Sequence, residues 1–216
     1  CPSLGPSGYT LLDRSGRGQH ATLTNMASSS WVGSPGGWVL DYDGTDDYVT
    51  ARATLTGTFT ISIWANRRSL GLSSRVMWGN TANTTYAATA KPTSLGTRSD
   101  SISEISFLGF TFSNNIWFHV LLSRDSANNM RVWKDGVESS SGAVSVTGTY
   151  TLGSIGTYST APGYGWDGQI GDIAAWNRAF SAPEATALYQ LGQGGLGRLL
   201  TQRAQRRVFR TQQGNR

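Results

Sequence analysis

The sequence predicts an all-β fold: two antiparallel sheets stacked as a sandwich or jelly roll, with one short helix near the end of the chain. Three observations lead there. Apolar and polar residues alternate over short runs, the spacing that buries one face of a strand. Turn-forming pairs such as Asn128-Asn129 and Asp135-Gly136 punctuate the runs, and no helical crossover intervenes between them. Charged residues make up only 14% of the chain, against 27 glycines. That composition suits polar-faced strands joined by turns, and not a coiled coil or a helical bundle.

The elements follow in order. Residues 9–25 read as a turn-rich entry with Gly16 and Gly18, then a strand over Ala21–Asn25. Trp38–Asp43 and Tyr48–Ala51 read as two strands around a tight acidic corner. In the run from Phe59 to Ala65, Phe59, Ile61, Ile63 and Ala65 share one face, and Thr60, Ser62 and Trp64 share the other. This is the period of a half-buried strand. Arg75–Gly79 is expected to place Val76 and Trp78 on one face and Met77 on the other. Thr84–Ala90, Ile102–Phe110, Ile116–Ser123, Met130–Lys134, Val137–Ser139, Tyr150–Ile155 and Gln169–Asn177 complete the strands. Asp135-Gly136 between two of them predicts a type I′ hairpin. A helix begins after Ser181, with Glu184 three residues on as a capping box. Ala185, Leu188 and Tyr189 give it an inward stripe, and Gly192 stops it.

Charge is unevenly spread. The chain carries 18 basic and 13 acidic residues, a net +5, but six arginines and no acid lie in residues 191–216. The preceding 190 residues hold 12 basic and 13 acidic residues, a net −1. A basic body suited to nucleic acid is therefore absent. Cys1 is the one cysteine, so no internal disulfide forms. No apolar run is long enough to cross a bilayer as a helix. The chain opens on Cys1 and not Met. The favoured reading is a fragment of a longer chain, with initiator removal or a lipid-modified start as the alternatives.

Several segments carry a family resemblance in the right order. They are Asp13-Arg14-Ser15-Gly16-Arg17-Gly18-Gln19-His20, the corner Asp43-Gly44-Thr45-Asp46-Asp47-Tyr48-Val49, the strand Phe59–Trp64, Trp117-Phe118-His119-Val120, the hairpin Val132–Val137 and the closing Gly171–Glu184. Together, over roughly residues 9–190, they resemble the laminin-G-like, pentraxin-related branch of the concanavalin A-like lectin and glucanase superfamily. The resemblance implies two curved antiparallel sheets, and a family of glycan binders, adhesion modules and structural add-ons. Residues 1–192 form the expected sandwich domain. Residues 193–216 form a basic Arg-rich extension that matches no motif.

Four groups of residues are candidate sites. In the corner, Asp43, Asp46 and Asp47, with Asp172 or Asn177 nearby, could supply the oxygens that Ca²⁺ needs. The favoured reading is that Asp43 and Asp46 accept backbone N–H bonds inside the turn. Trp166 sits in a Gly-rich loop with Tyr158, Tyr164 and Asp167 near it. Aromatic faces stack on sugar rings, and loops carry function on rigid sandwiches. His20 and His119 are read as a turn-fixing residue and an internal hydrogen-bond partner. In the extension, Leu196, Leu199, Leu200, Arg203, Arg206, Arg207, Val208, Phe209 and Arg210 are expected to dock on a partner chain or another copy.

Catalysis is not expected. Glycoside cleavage needs a paired acid and nucleophile, and Glu104, Glu138 and Glu184 are far apart in sequence. No Gly-x-Ser-x-Gly elbow is present. The leading expectation is a non-catalytic recognition or adhesion module for glycans or cell surfaces. It would be extracellular and displayed in many copies on a virion or bacterial surface. The alternative is a structural decoration or assembly domain anchored by its extension.

Overall fold

The computed structural model describes residues 8–34, 37–69, 75–80, 82, 84–158 and 164–193, the side chains of 87–89 excepted. The strands are β1 (Thr10–Leu11), β2 (Ala21–Thr24), β3 (Trp31–Ser34), β4 (Gly37–Asp43), β5 (Tyr48–Leu55), β6 (Phe59–Arg67), β7 (Arg75–Gly79) and β8 (Tyr86–Ala90). They continue as β9 (Ser94–Arg98), β10 (Ile105–Leu108), β11 (Trp117–Arg124), β12 (Asn129–Lys134), β13 (Val137–Glu138), β14 (Val144–Ser145), β15 (Tyr150–Ile155) and β16 (Asp167–Trp176). The helix α1 spans Ala182–Gln193.

The strands form two antiparallel sheets. The first runs in the order β1-β2-β5-β15-β7-β8-β9-β10 and the second β13-β12-β11-β6-β16-β4-β3, with β14 beside β12. The expected sandwich is therefore the fold of this chain. Its core lies between the layers. Val49, Met77, Leu95, Phe107, Tyr150 and Leu152 of the first sheet meet Phe59, Ile61, Ile63, Phe118, Val120, Leu122 and Val132 of the second. Apolar area removed from water there is the main force holding the layers together.

Three sequence expectations are corrected. β6 is buried on both faces, not half-buried, because α1 covers the second one. On that outer face Leu121, Trp133, Phe180, Ala185 and Leu188 form a separate small core. In β7, register shifts flank Trp78 in its pairing with β8. As a result Met77 and Trp78, adjacent in sequence, both join the main core. The expected strand over 102–110 shrinks to Ile105–Leu108. β3 and β9 had no strong sequence signal, since Trp31–Ser34 is only four residues long and broken by Gly33, and Ser94–Arg98 has Gly96 at its centre and Thr97 as its one β-former.

Local chemistry explains the joints. Asp135 and Gly136 both have positive φ, 53° and 77°, the type I′ pattern. Glu184 reaches back to accept from the Ser181 N–H at 2.9 Å, as a capping box should. Thr60 Oγ1 donates to Arg178 O at 2.7 Å, and the Phe180 N–H donates to Ser123 Oγ at 2.8 Å. These bonds fix the approach to α1. The helix then lays Tyr189 on Trp64, ring centroids 5.7 Å apart and nearly parallel. Gly192 lies so close to Trp64 that an added Cβ would meet the indole at 2.5 Å.

Candidate functional site

The acidic corner between β4 and β5 is tied up internally. Asp43 Oδ1 accepts from the Thr45 N–H at 2.7 Å, and Asp47 Oδ2 accepts from the Asp43 N–H at 3.0 Å. Asp46 Oδ2 accepts from the Asn25 side chain at 3.1 Å, not from backbone. Carboxylate oxygens of the three lie within 4.8 Å of one another, a spread that one Ca²⁺ with bonds of about 2.3–2.6 Å spans. Burial, with Asp43, Asp46 and Asp41 adding repulsion, pushes Asp47 up to about 6. The Asp43 N–H bond pulls the other way.

Asp172 does not belong to this corner. Asp167 is the residue of β16 that pairs with Asp43. Asp172 lies five residues farther along, roughly 16 Å at strand rise, and Asn177 farther still. Asp172 sits in the register shift between Gly171 and Ala174, with φ of 43°. Burial raises its carboxyl to about 7, against a lowering pull from Arg14.

Two of the loop candidates are also structural. Trp166 is fully buried. It packs edge-on to Phe118 at 6.2 Å and its indole N–H donates to Gln169 O at 3.3 Å. A ring inside the core cannot stack on a ligand. Asp167 accepts from Arg68 Nη1 at 2.6 Å and from the Ser69 hydroxyl, with Arg75 Nη2 at 3.9 Å. Arg68 also holds Asp41 at 2.7 Å, and the buried Arg75 donates to Gly44 O and Gly165 O. Asp167 is thus the centre of a staple joining four segments. Gly44, at φ 82°, leaves room for it: an added Cβ would stand 2.8 Å from Asp167 Cβ.

Tyr158 and Tyr164 stay together, and the fold gives them partners. The backbone register makes one row across the outer face of the first sheet: Thr22, Thr50, Ser154, Gly79, Tyr86 and Arg98 on adjacent strands. Tyr158 lies over Gly79, where a Cβ would stand 2.6 Å from its own. Its ring meets Tyr86 at 5.1 Å and Tyr164 at 5.1 Å, both tilted. The Tyr86 hydroxyl and Lys91 ammonium both donate to the Glu104 carboxylate, with Ser106 Oγ at 3.4 Å. Glu104 rests on Gly96, 3.1 Å from where a Cβ would be. Burial pushes Tyr86 and Tyr158 up to about 12, so both keep their protons at neutral pH. The result is an aromatic strip, with Tyr86 buried and Tyr158 and Tyr164 half-exposed, beside a carboxylate and two cations.

Residues 43–186 match a family model described as the concanavalin A-like lectin/glucanases superfamily, laminin G type. The chain belongs to this superfamily. No curated protein matches it significantly in sequence. Among solved structures, a heptameric SAP-like pentraxin from Limulus polyphemus superposes with TM-score 0.55 at 14% identity, over 79% of this chain and 83% of the pentraxin. Domain 4 of AbnA, an extracellular GH43 arabinanase from Geobacillus stearothermophilus in complex with arabinotriose, gives TM-score 0.57 and 17% identity over 86% and 89%. Trypanosoma rangeli sialidase gives 0.61 and 14%, over 91% of this chain but 35% of the enzyme. At these identities the likeness carries the fold alone.

In this laminin G-type chain, sequence reasoning found Tyr158 and Tyr164, weighed Glu104 only as a catalytic acid, and missed Tyr86, Lys91 and Arg98. No local motif links them. They meet because β8 and β9 pair with Tyr86 opposite Arg98. The expected partner-binding residues of the extension, Leu196 through Arg210, lie outside the described residues.

Proposed function

We propose that this chain is a non-catalytic carbohydrate-recognition module that receives a sugar on the outer face of its first sheet. The observation that carries the proposal is the strip Tyr86–Tyr158–Tyr164 seated on glycine-floored ground. A pyranose or furanose C–H face stacks on the half-exposed Tyr158 and Tyr164, which the buried Tyr86 supports. The Glu104 carboxylate and Lys91 ammonium beside them suit hydroxyl groups. Superfamily membership supports a lectin-like role, and the arabinanase domain of the same fold was solved with arabinotriose. The non-catalytic reading is supported by the partners of Glu104, which are Tyr86, Lys91 and Ser106 and not a second carboxylate.

A single shallow site binds weakly, so display in many copies, as on a virion or bacterial surface, would raise avidity. The heptameric pentraxin offers a precedent for multivalency in this fold. The test is a glycan array with the whole chain, followed by calorimetry on the best oligosaccharide. Tyr158→Ala should weaken binding at least tenfold, about 1.4 kcal/mol, with the fold intact by circular dichroism. Silence across the array, or unchanged affinity of Tyr158→Ala, would overturn the proposal.

A further inference from the structure

We infer that the tyrosine strip selects a sugar bearing an anionic group, a carboxylate or a sulfate, which Arg98 holds while the ring stacks on Tyr158 and Tyr164. This rests on the recognition role proposed above and adds the chemical class of the ligand.

Among the described arginines, Arg14, Arg17 and Arg52 are exposed to solvent, and most of the rest are engaged. Arg68 and Arg75 face Asp167, Arg131 faces Glu138, and Arg178 faces Glu184. Arg67 and Arg124 are buried and donate to backbone carbonyls. Arg98 has no hydrogen bond or ion pair among the described residues. Yet it is only half-exposed and stands directly opposite Tyr86 in the β8–β9 register. Its charge acts on both Tyr86 and Tyr158, pulling their hydroxyls down against the effect of burial. The guanidinium therefore lies within electrostatic reach of two rings of the strip.

Charge balance then fixes the ligand's sign. Lys91 and Glu104 compensate each other, and the Tyr86 hydroxyl further satisfies the Glu104 carboxylate. Arg98 is left as the net charge of the cluster. A guanidinium presents a planar fork that matches carboxylate and sulfate oxygens two at a time, and it never loses its proton near neutrality. Distance agrees. Gly79, beneath Tyr158, is two strands from Arg98, about 10 Å, with Tyr86 between them. One sugar ring with its exocyclic acid bridges that span.

The experiment compares three matched oligosaccharide series on the whole chain: neutral, uronate-containing and sulfated. Calorimetry at low salt should show an anionic series bound at least tenfold tighter than the neutral one. The preference should shrink as salt rises. Arg98→Gln should erase it, bringing the anionic sugar down to the affinity of the neutral sugar, with the melting temperature unchanged. Whichever anionic series binds tighter identifies the group. Equal affinity for neutral and anionic sugars, with Tyr158→Ala still weakening both, overturns this inference and leaves the recognition role standing. An anionic preference that survives Arg98→Gln overturns it as well. No binding in any series removes both.

Discussion

On the outer face of the second sheet, Trp64 and Trp133 lie under α1, the first beneath Tyr189 and Gly192, the second beside Phe180 and Leu188. On the outer face of the first sheet, Tyr86, Tyr158 and Tyr164 lie under no described helix. Both faces carry aromatic residues: Trp64 and Trp133 stand on strands β6 and β12, while Tyr86 stands on β8 and is joined by Tyr158 and Tyr164 from between β15 and β16. The second sheet covers its aromatics with the chain's own helix and turns them into a second core. The first leaves Tyr158 and Tyr164 half-exposed, and it chose tyrosine, whose hydroxyl tolerates water. Cover is what separates the aromatics that hold the fold from those left open to solvent.

That comparison can be broken most severely at the helix. Trp64→Ala should cost about 3–5 kcal/mol of stability, the usual price of emptying a large aromatic site, measured by urea unfolding. Sugar affinity of the folded fraction should be unchanged. A loss of binding at constant stability would mean that the two faces are coupled.

The next test uses pH. His119, buried under the Trp64–Tyr189 stack with Nε2 2.7 Å from Ser62 Oγ, is pushed down to about 3 by burial. Its unfolded value is near 6.5. Between those values the unfolded chain binds the extra proton, so this contribution to stability is complete above about pH 6.5 and falls as pH drops toward 3. Asp172 and Asp47 are raised to about 7 and about 6 and oppose it, because their folded forms take protons first. The signal is therefore a difference. His119→Gln should gain stability relative to the unmodified chain as pH falls from 6.5 to 4, by at most about 1.4 kcal/mol per unit. A pH-independent difference would show that the histidine charges freely in the folded state.

Smaller effects sharpen the other side. Tyr164→Ala should cost no more than about 0.5–1.5 kcal/mol of stability while weakening sugar binding, the reverse of Trp64→Ala. A large stability loss with unchanged binding would make the strip a structural cluster. Smallest of all is the expected response to calcium. Each corner carboxylate already holds an N–H donor, so millimolar Ca²⁺ should raise the melting temperature by less than about 1 °C. A rise of several degrees, reversed by a chelator, would make Asp43, Asp46 and Asp47 a calcium site.

The layers were legible because alternation and turn chemistry are local. Phe59 to Ala65, the Asp135-Gly136 hairpin and the Ser181–Glu184 cap each carry their own signal. The site was less legible because it is made by register. Trp166 and Asp167 sit in a Gly-rich loop beside two tyrosines, and nothing in that stretch separates the buried ring from the exposed ones. Asp167 looked available until the fold brought Arg68 and Arg75 to it. Tyr86 and Arg98 became neighbours only through a hairpin whose second strand, Ser94-Leu95-Gly96-Thr97-Arg98, has a single strong apolar residue. The double burial of β6 was hidden for the same reason: the helix that covers Trp64 begins more than a hundred residues later.

The seat of Gly192 against the Trp64 indole has a directional consequence. It plants the final turn of the helix on the side of the domain opposite the tyrosines. The helix end and the proposed sugar-facing surface therefore lie on opposite faces of the sandwich, so a ligand seated on the tyrosines would leave the helix untouched.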